Sequence, residues 1–385
     1  MTHIRLALIL LLAGCVAPPP KPEAPTKPAP ESARFEPASF SALPGWSRAT
    51  LAPSLQAFQG GCRRAPALAR ICEAAGALEA GDETGARRFF EDNFAAYAVI
   101  STESGDTGTV TGYYEPVIRG SRTPTALNRY PIHGVPEDLI IVDVTALDPE
   151  LAKVPELRNR RLRARVENRR LVPYWSRAEI DARGTSFAAP AIAWTADPVE
   201  VFFLQIQGSG QIQLDDGQRL RIGFADQNGH PFRSLGRYLV ERGEMTLDQA
   251  SMQSIKAWAA ANPQKLQQAL NVNPSYVFFR ELVLPPTDGP VGALGVPLSA
   301  GYSLAVDRRF IPLGAPVYLA TTMPLSTEPL ERLMAAHDTG GAIRGAVRSD
   351  FFWGSGPDAG ALAGRMRQPA KMWLLWPKDL PPPKS

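Results

Sequence analysis

Leu333-Met334-Ala335-Ala336-His337-Asp338-Thr339-Gly340-Gly341-Ala342-Ile343-Arg344-Gly345, followed three residues on by Ser349-Asp350-Phe351-Phe352-Trp353-Gly354, decides how this 385-residue chain is read. An apolar run enters one acid, a glycine-broken turn follows, and a second acid leads into three aromatic residues. Gly340, Gly341 and Gly345 allow tight backbone turns and close approach of a ligand. Bulk beside the carboxyl of Asp350 strips water and favours its neutral form, as a general acid requires. The competing reading is a β-turn carrying two solvated aspartates. Around this stretch the pattern repeats. Ser303-Leu304-Ala305-Val306, Val317-Tyr318-Leu319 and Trp373-Leu374-Leu375-Trp376 are short strand-like runs separated by turns such as Pro312-Leu313-Gly314. Many short strands between Gly and Pro turns predict a small β-barrel rather than a doubly wound sheet.

Upstream, Pro53 to Tyr97 has helical spacing. Leu55, Phe58 and Cys62 share one face, and Phe90, Phe94 and Tyr97 repeat at i, i+4, i+7 as a core stripe. Strand character begins near Ala98 and includes Thr111-Gly112-Tyr113-Tyr114-Glu115-Pro116. Paired tyrosines there suit either a half-buried strand or a carbohydrate groove, since the rings stack on sugar faces. Ile140-Ile141-Val142 is a further β-like run, and the region from there to Pro190, dense in arginine between Arg158 and Arg170, looks irregular. That basic stretch fits a solvated loop or a contact with an anionic polymer. Val201-Phe202-Phe203-Leu204-Ile206 predicts a strand closed by Gln207-Gly208-Ser209-Gly210, and Asp216-Gly217 predicts a hairpin turn. The Gln207–Gly210 loop lacks the spacing of a phosphate loop, which excludes nucleotide binding there. Thr246 and Gln249 predict a capping box for a helix lined by Met252, Ile255 and Ala259 and ended by Asn262-Pro263; a short helix follows, then a strand at Tyr276-Val277-Phe278-Phe279.

The two ends of the chain carry address and tether rather than core. Arg5, the apolar run Leu6–Leu12 and Ala13-Gly14-Cys15 form an export signal over 1–14, too short to span a bilayer. Leu12-Ala13-Gly14-Cys15 resembles the bacterial lipoprotein signal, which implies a lipid on Cys15. A proline-rich tether follows over 15–45, and 377–385 is a tail. Val16 after Cys15 lacks an inner-membrane retention aspartate, so the periplasmic face of the outer membrane is the expected location. Cys62 and Cys72 fit either a local disulfide or two buried thiols. A formal net charge of +3 leaves no nucleic-acid footprint. No Cys/His cluster has ligand spacing, so neither metal nor cofactor is expected.

A set of ordered motifs then matches a known family. These are Gly112-Tyr113-Tyr114-Glu115-Pro116, Gln207-Gly208-Ser209-Gly210, Asn228-Gly229-His230 with Arg233-Ser234-Leu235-Gly236, and Asn273-Pro274-Ser275 with Val277-Phe278-Phe279. Three aspartates, Asp307, Asp338 and Asp350, complete the series. From about Trp46 to Trp376 the chain resembles the MltA type of membrane-bound lytic murein transglycosylase, glycoside hydrolase family 102, with its C-terminal 3D domain.

The resemblance implies a mainly β fold with α. A double-psi β-barrel with N-terminal helices would span 46–118 and 277–376, a second β-rich domain would be inserted over 119–276, and a groove would lie between them. It implies an exo-acting lytic transglycosylase on peptidoglycan glycan strands, with other cell-wall enzymes as candidate partners. The β-1,4 bond between N-acetylmuramic acid and N-acetylglucosamine would be cut to leave a 1,6-anhydromuramic end. Asp350 is implied as catalytic, acting as acid and then base, while Asp338 orients it or the sugar. Tyr113, Tyr114, Gln207, Ser209, Gly340 and Gly341 are candidates for holding the glycan. Asp307 is a supporting residue whose competing role is an arginine pair. The arginine-rich stretch 148–184 departs from the best-known members. Two rival readings remain, a water-adding hydrolase and a glycan-binding lipoprotein without turnover.

Overall fold

The computed structural model describes residues 31–154, 161–247, 249–285 and 287–383. The signal segment, Cys15 and Arg158 lie outside the described residues. Residues 31–45, read above as tether, belong to the fold: β1 (Ala33–Ala38) pairs antiparallel along β2 (Phe94–Ser101), and Phe35 packs against the barrel core.

Between these strands run α1 (Ala52–Gly61), α2 (Ala69–Gly76) and α3 (Glu83–Asn93). Asp82 caps α3 by accepting from the Gly85 N–H at 2.8 Å. Glu83 accepts from the N–H groups of Leu51 and Ala52 at 2.8 and 2.9 Å, so the start of α3 also caps α1. Cys62 and Cys72 are joined in a disulfide, their Cα atoms 5.5 Å apart. Phe58, Phe89, Phe90 and Phe94 meet with ring centroids 5.2 to 6.0 Å apart. The helical stripe ends sooner than its spacing suggested. The chain turns extended at Phe94, whose ring still reaches the cluster, and Tyr97 lies on β2.

The central segment holds β3 (Gly108–Glu115), β4 (Val117–Gly120), β5 (Tyr130–His133), β6 (Ile140–Asp143), α4 (Val144–Leu147), β7 (Arg161–Glu167), β8 (Arg170–Pro173) and α5 (Arg177–Arg183). It continues through β9 (Ala191–Thr195), α6 (Pro198–Gln207), β10 (Ser209–Leu214), β11 (Arg219–Gln227), α7 (Leu235–Glu241), α8 (Met252–Ala261), α9 (Pro263–Leu270) and β12 (Val277–Leu282). The expected strand at Val201–Ile206 is a helix. Asp197 accepts from the Val199 N–H at 2.8 Å, Pro198 presets the first turn, and Gly208 closes the helix in the left-handed region at φ 79°. The Thr246 capping box does not form, and Ser251 caps α8 through the Ser254 N–H. The stretch read as irregular contains the three-stranded sheet β6-β7-β8 and α5. The Asp216-Gly217 hairpin is present between β10 and β11. β12 runs along β11 in the sheet β12-β11-β10-β4, so that sheet spans 117–282, whereas the sequence reading set its edges at 119 and 276.

The C-terminal segment supplies β13 (Ser303–Val306), β14 (Pro316–Thr322), β15 (Pro329–Asp338), β16 (Arg348–Ser355), α10 (Gly356–Ala363) and β17 (Arg367–Pro377). Strands pair in the order β17-β14-β15-β13-β16-β3, and β3 pairs again with β17. The result is a closed barrel of six strands, consistent with the small β-barrel expected from the sequence, with β3 arriving from before the inserted segment. Two neighbours, β13 with β15 and β16 with β3, run parallel. Val110, Leu304, Val317, Phe351 and Leu374 fill the interior. On the opposite face of β14 and β17, Tyr318, Trp373 and Leu375 pack under α1–α3. Both faces are covered there, which is why Trp373-Leu374-Leu375-Trp376 reads as a continuous apolar run.

Candidate active site

The outer face of β15, β13, β16 and β3 carries the acids. Ala305 lies opposite Asp350 across β16 and opposite Asp338 across β15, and Asp350 lies opposite Thr111 of β3. With strands about 4.8 Å apart, the backbones of Asp338 and Asp350 stand about 10 Å apart. In the strand row, Ala305 is the residue between them. A register shift between Leu304 and Ala305 makes this row. It skips His337, which turns beneath α1, and sets Asp338 on the outer face beside Ala305. A Cβ on Gly61 would lie 2.6 Å from His337 Nε2, so α1 approaches this close only because position 61 is glycine. His337 Nδ1 lies 2.9 Å from the Ser303 hydroxyl, and burial pushes the ring down to about 4, leaving it neutral.

Asp350 is held differently from the expectation. Neighbouring residues on a strand point to opposite faces. Phe351 therefore enters the barrel interior, and Phe352 packs on the Tyr113 ring with centroids 5.1 Å apart. What touches the Asp350 carboxyl is polar. Arg348 Nη1 donates to Oδ1 at 2.5 Å, and the Thr111 hydroxyl donates to the same oxygen. Arg348 Nη2 donates to Thr111 Oγ1 at 2.8 Å, closing a triangle that leaves Oδ2 as the freer oxygen. Sequence reasoning missed Arg348 and Thr111. The signal was there: Arg348 and Asp350 are two apart on a strand and share a face, as are Thr111 and Tyr113.

Asp338 accepts from the Ala293 N–H at 2.8 Å. Burial pushes its carboxyl up to about 6, with Asp350 adding to the rise, against the pull of the Ala293 and Thr339 N–H groups and the Tyr113 hydroxyl. A carboxyl raised on folding favours the folded state below its unfolded value near 3.8, and that stabilisation is lost as pH rises through about 6. Asp338→Asn is therefore expected to stabilise the fold above pH 6 by about 1–3 kcal/mol, with the gap closing below about pH 4. Thermal melting of both proteins across that range checks this.

Asp307 directly follows β13 and is buried. Its carboxyl accepts from Arg309 Nε at 3.0 Å and Nη2 at 2.5 Å and from the Gly345 N–H at 3.0 Å. Burial works upward on it, but Arg309 and the two N–H groups of Gly345 and Arg309 outweigh burial and hold it below its ordinary value. It thus pins the far end of the turn that joins the other two aspartates.

The remaining candidates divide. Tyr113 lies beside both acids. Tyr114 is buried against α10, with its hydroxyl 3.3 Å from Met252 Sδ, and the Gln207 side chain accepts from its N–H at 3.0 Å. Both residues therefore brace the strand from behind. Ser209 opens β10. Gly340 and Gly341 do not adopt positive φ, and a Cβ on Gly341 would meet nothing within 4 Å; Gly345, at φ 124°, is the glycine the turn requires.

Beside Phe352 a cleft of about 450 Å³ separates the barrel from the inserted sheet. Gln211 and Arg219 line one wall, and Ser299, Gly354 and Ser355 the other. Beneath it the buried Glu115 accepts from Gln211 at 2.7 Å, Ser355 at 2.6 Å and Arg221 at 3.1 Å, tying the two walls together. Neither Asp338 nor Asp350 lines this cleft or a separate hollow near Glu137 and Pro190.

Comparison with known proteins matches residues 109–280 to the MltA specific insert domain and residues 302–376 to the 3D domain. The chain is 32% identical over 308 residues to membrane-bound lytic murein transglycosylase A of Escherichia coli K12, covering 77% of this chain and 73% of that one. It is 40% identical to the crystal structure of MltA from Neisseria gonorrhoeae, with a TM-score of 0.79 over 92% of this chain and 95% of that one. A structure of E. coli MltA with bound chitohexaose aligns with a TM-score of 0.61 at 26% identity, over 89% and 91% of the two chains.

Proposed function

The chain belongs to the MltA family of membrane-bound lytic murein transglycosylases, and on that premise we propose that it cuts the β-1,4 bond from N-acetylmuramic acid to N-acetylglucosamine in peptidoglycan and closes a 1,6-anhydro ring. The observation that supports this is the row Asp338–Ala305–Asp350–Thr111 on the outer face of the barrel, two residues along β16 from Phe352, which lines a polar cleft. Arg348 and Thr111 fix one oxygen of Asp350, which leaves the other to face the scissile bond. As an acid, Asp350 gives its proton to the glycosidic oxygen while the bond from C1 of the muramic sugar breaks. As a carboxylate, it then takes the proton of the C6 hydroxyl while O6 bonds to C1. One proton circulates, no water is consumed, and no second carboxyl is needed as nucleophile. The chitohexaose-bound relative shows that a protein of this family accepts a chain of β-1,4-linked N-acetyl sugars.

A second reading has one observation in its favour. Asp338, raised to about 6, would be the acid, and Asp350 would activate water as a base. Mass spectrometry of murein digested by the purified protein separates the two. The transglycosylase releases muropeptides lighter by one water than their hydrolytic counterparts. A digest made only of the heavier, reducing products would overturn the first reading.

A further inference from the structure

The Tyr113 hydroxyl is a buried polar atom with no hydrogen-bond partner of good geometry among the described residues. Such orphans are rare and call for a reason. Packing explains the ring, which rests on Phe352, but a phenylalanine would pack as well there. The hydroxyl lies on the face that bears the two acids. Tyr113 is two residues from Thr111, which holds Asp350, and its strand position is opposite Phe352, two residues from Asp350. Burial, then the charges of Asp338 and Asp350, push the phenol well above its ordinary value. It therefore stays neutral through the working range and can donate and accept at once.

We propose that the Tyr113 hydroxyl is the bridge through which Asp338 and Asp350 share one proton. The protonated Asp338 carboxyl gives its proton to the phenol oxygen while the phenol O–H passes its own proton to the Asp350 carboxylate. The phenol is regenerated, Asp338 is left as a carboxylate, and Asp350 is loaded as an acid. No oxidant or further reactant takes part. Tyr113 touches neither broken bond and acts through Asp350, so it is a positioning residue. This role deepens the single-aspartate reaction proposed above and rests on it. It also gives that reaction a source for its proton, since burial holds the Asp338 carboxyl up to about 6.

Tyr113→Phe keeps the ring and deletes the bridge. On purified murein, kcat is expected to fall by about 10–100-fold with KM within about twofold, and the alkaline limb of the pH–rate profile to move to lower pH. The double variant Tyr113→Phe/Asp338→Asn is expected to be no slower than the worse single variant, because both remove the same relay. Unchanged kcat and pH profile in Tyr113→Phe would overturn the bridge. So would a raised KM at full kcat, which marks a hydroxyl that only holds sugar, or losses that multiply in the double variant. If Tyr113→Phe fails to fold, 3-fluorotyrosine at position 113 keeps the hydroxyl and changes its acidity; an unmoved pH profile then refutes the bridge. Product analysis keeps the two proposals apart. Anhydro products together with an inert Tyr113→Phe change remove the bridge alone, while hydrated products from the unaltered protein remove the reaction beneath it.

Discussion

Asp350→Asn is expected to lower turnover on murein by about 10³-fold or more while leaving the fold and glycan binding in place. The amide oxygen of asparagine can still accept from Arg348 and Thr111, so the side chain stays where the strand puts it. It cannot carry a proton to the leaving oxygen or remove one from the C6 hydroxyl. In the proposed reaction both halves fail together, which is why the loss should exceed that of any neighbour. Asp338→Asn, which removes only the reservoir of the shared proton, should cost about 10–100-fold. Release of soluble muropeptides from sacculi, followed by chromatography, measures both. Activity of Asp350→Asn within tenfold of the parent would remove Asp350 from the reaction. A larger loss at Asp338 than at Asp350 would favour the two-carboxylate hydrolase.

The largest expected effect on stability is at Glu115. Its side chain is 1% exposed and that of Arg221 9%, and they pair at 3.1 Å where barrel meets inserted sheet. Deleting one partner of a buried pair strands the other charge. Glu115→Ala is therefore expected to cost about 3–5 kcal/mol. A lowered denaturant midpoint at unchanged slope would report it. Gln211 and Ser355, which line the cleft, lose the same acceptor, so KM for murein should rise as well. Glu115→Gln keeps an acceptor and should lose less. A cost below about 1 kcal/mol for the alanine variant would mean that water readily replaces the pair.

The sequence was most legible where signals are local. The Asp216-Gly217 turn, the stop at Asn262-Pro263 and the closing strand through Trp373 each depend on a few adjacent residues. Legibility failed where two periods overlap. Val201–Ile206 is apolar enough for a buried strand, and only the cap at Asp197 and the left-handed Gly208 mark it as a helix. Phe90, Phe94 and Tyr97 keep helical spacing across a boundary because an extended Phe94 reaches the same cluster. The site shows the same division. The acids stood out beside their glycines, but the aromatic residues next to Asp350 misled, since alternation sends Phe351 into the barrel. The partners of Asp350 were harder to see, because Thr111 lies 239 positions away in the chain.

That separation has a consequence for how the protein comes into being. β3 is made before the whole inserted segment, yet it must wait for β16 and β17 before it has neighbours to pair with. The ring shuts only by joining stretches from early and late in synthesis, a slow kind of closure. Until then Thr111 and Asp350 belong to different, unjoined parts, and an incomplete chain holds no assembled tool with which to damage the wall of the cell that makes it.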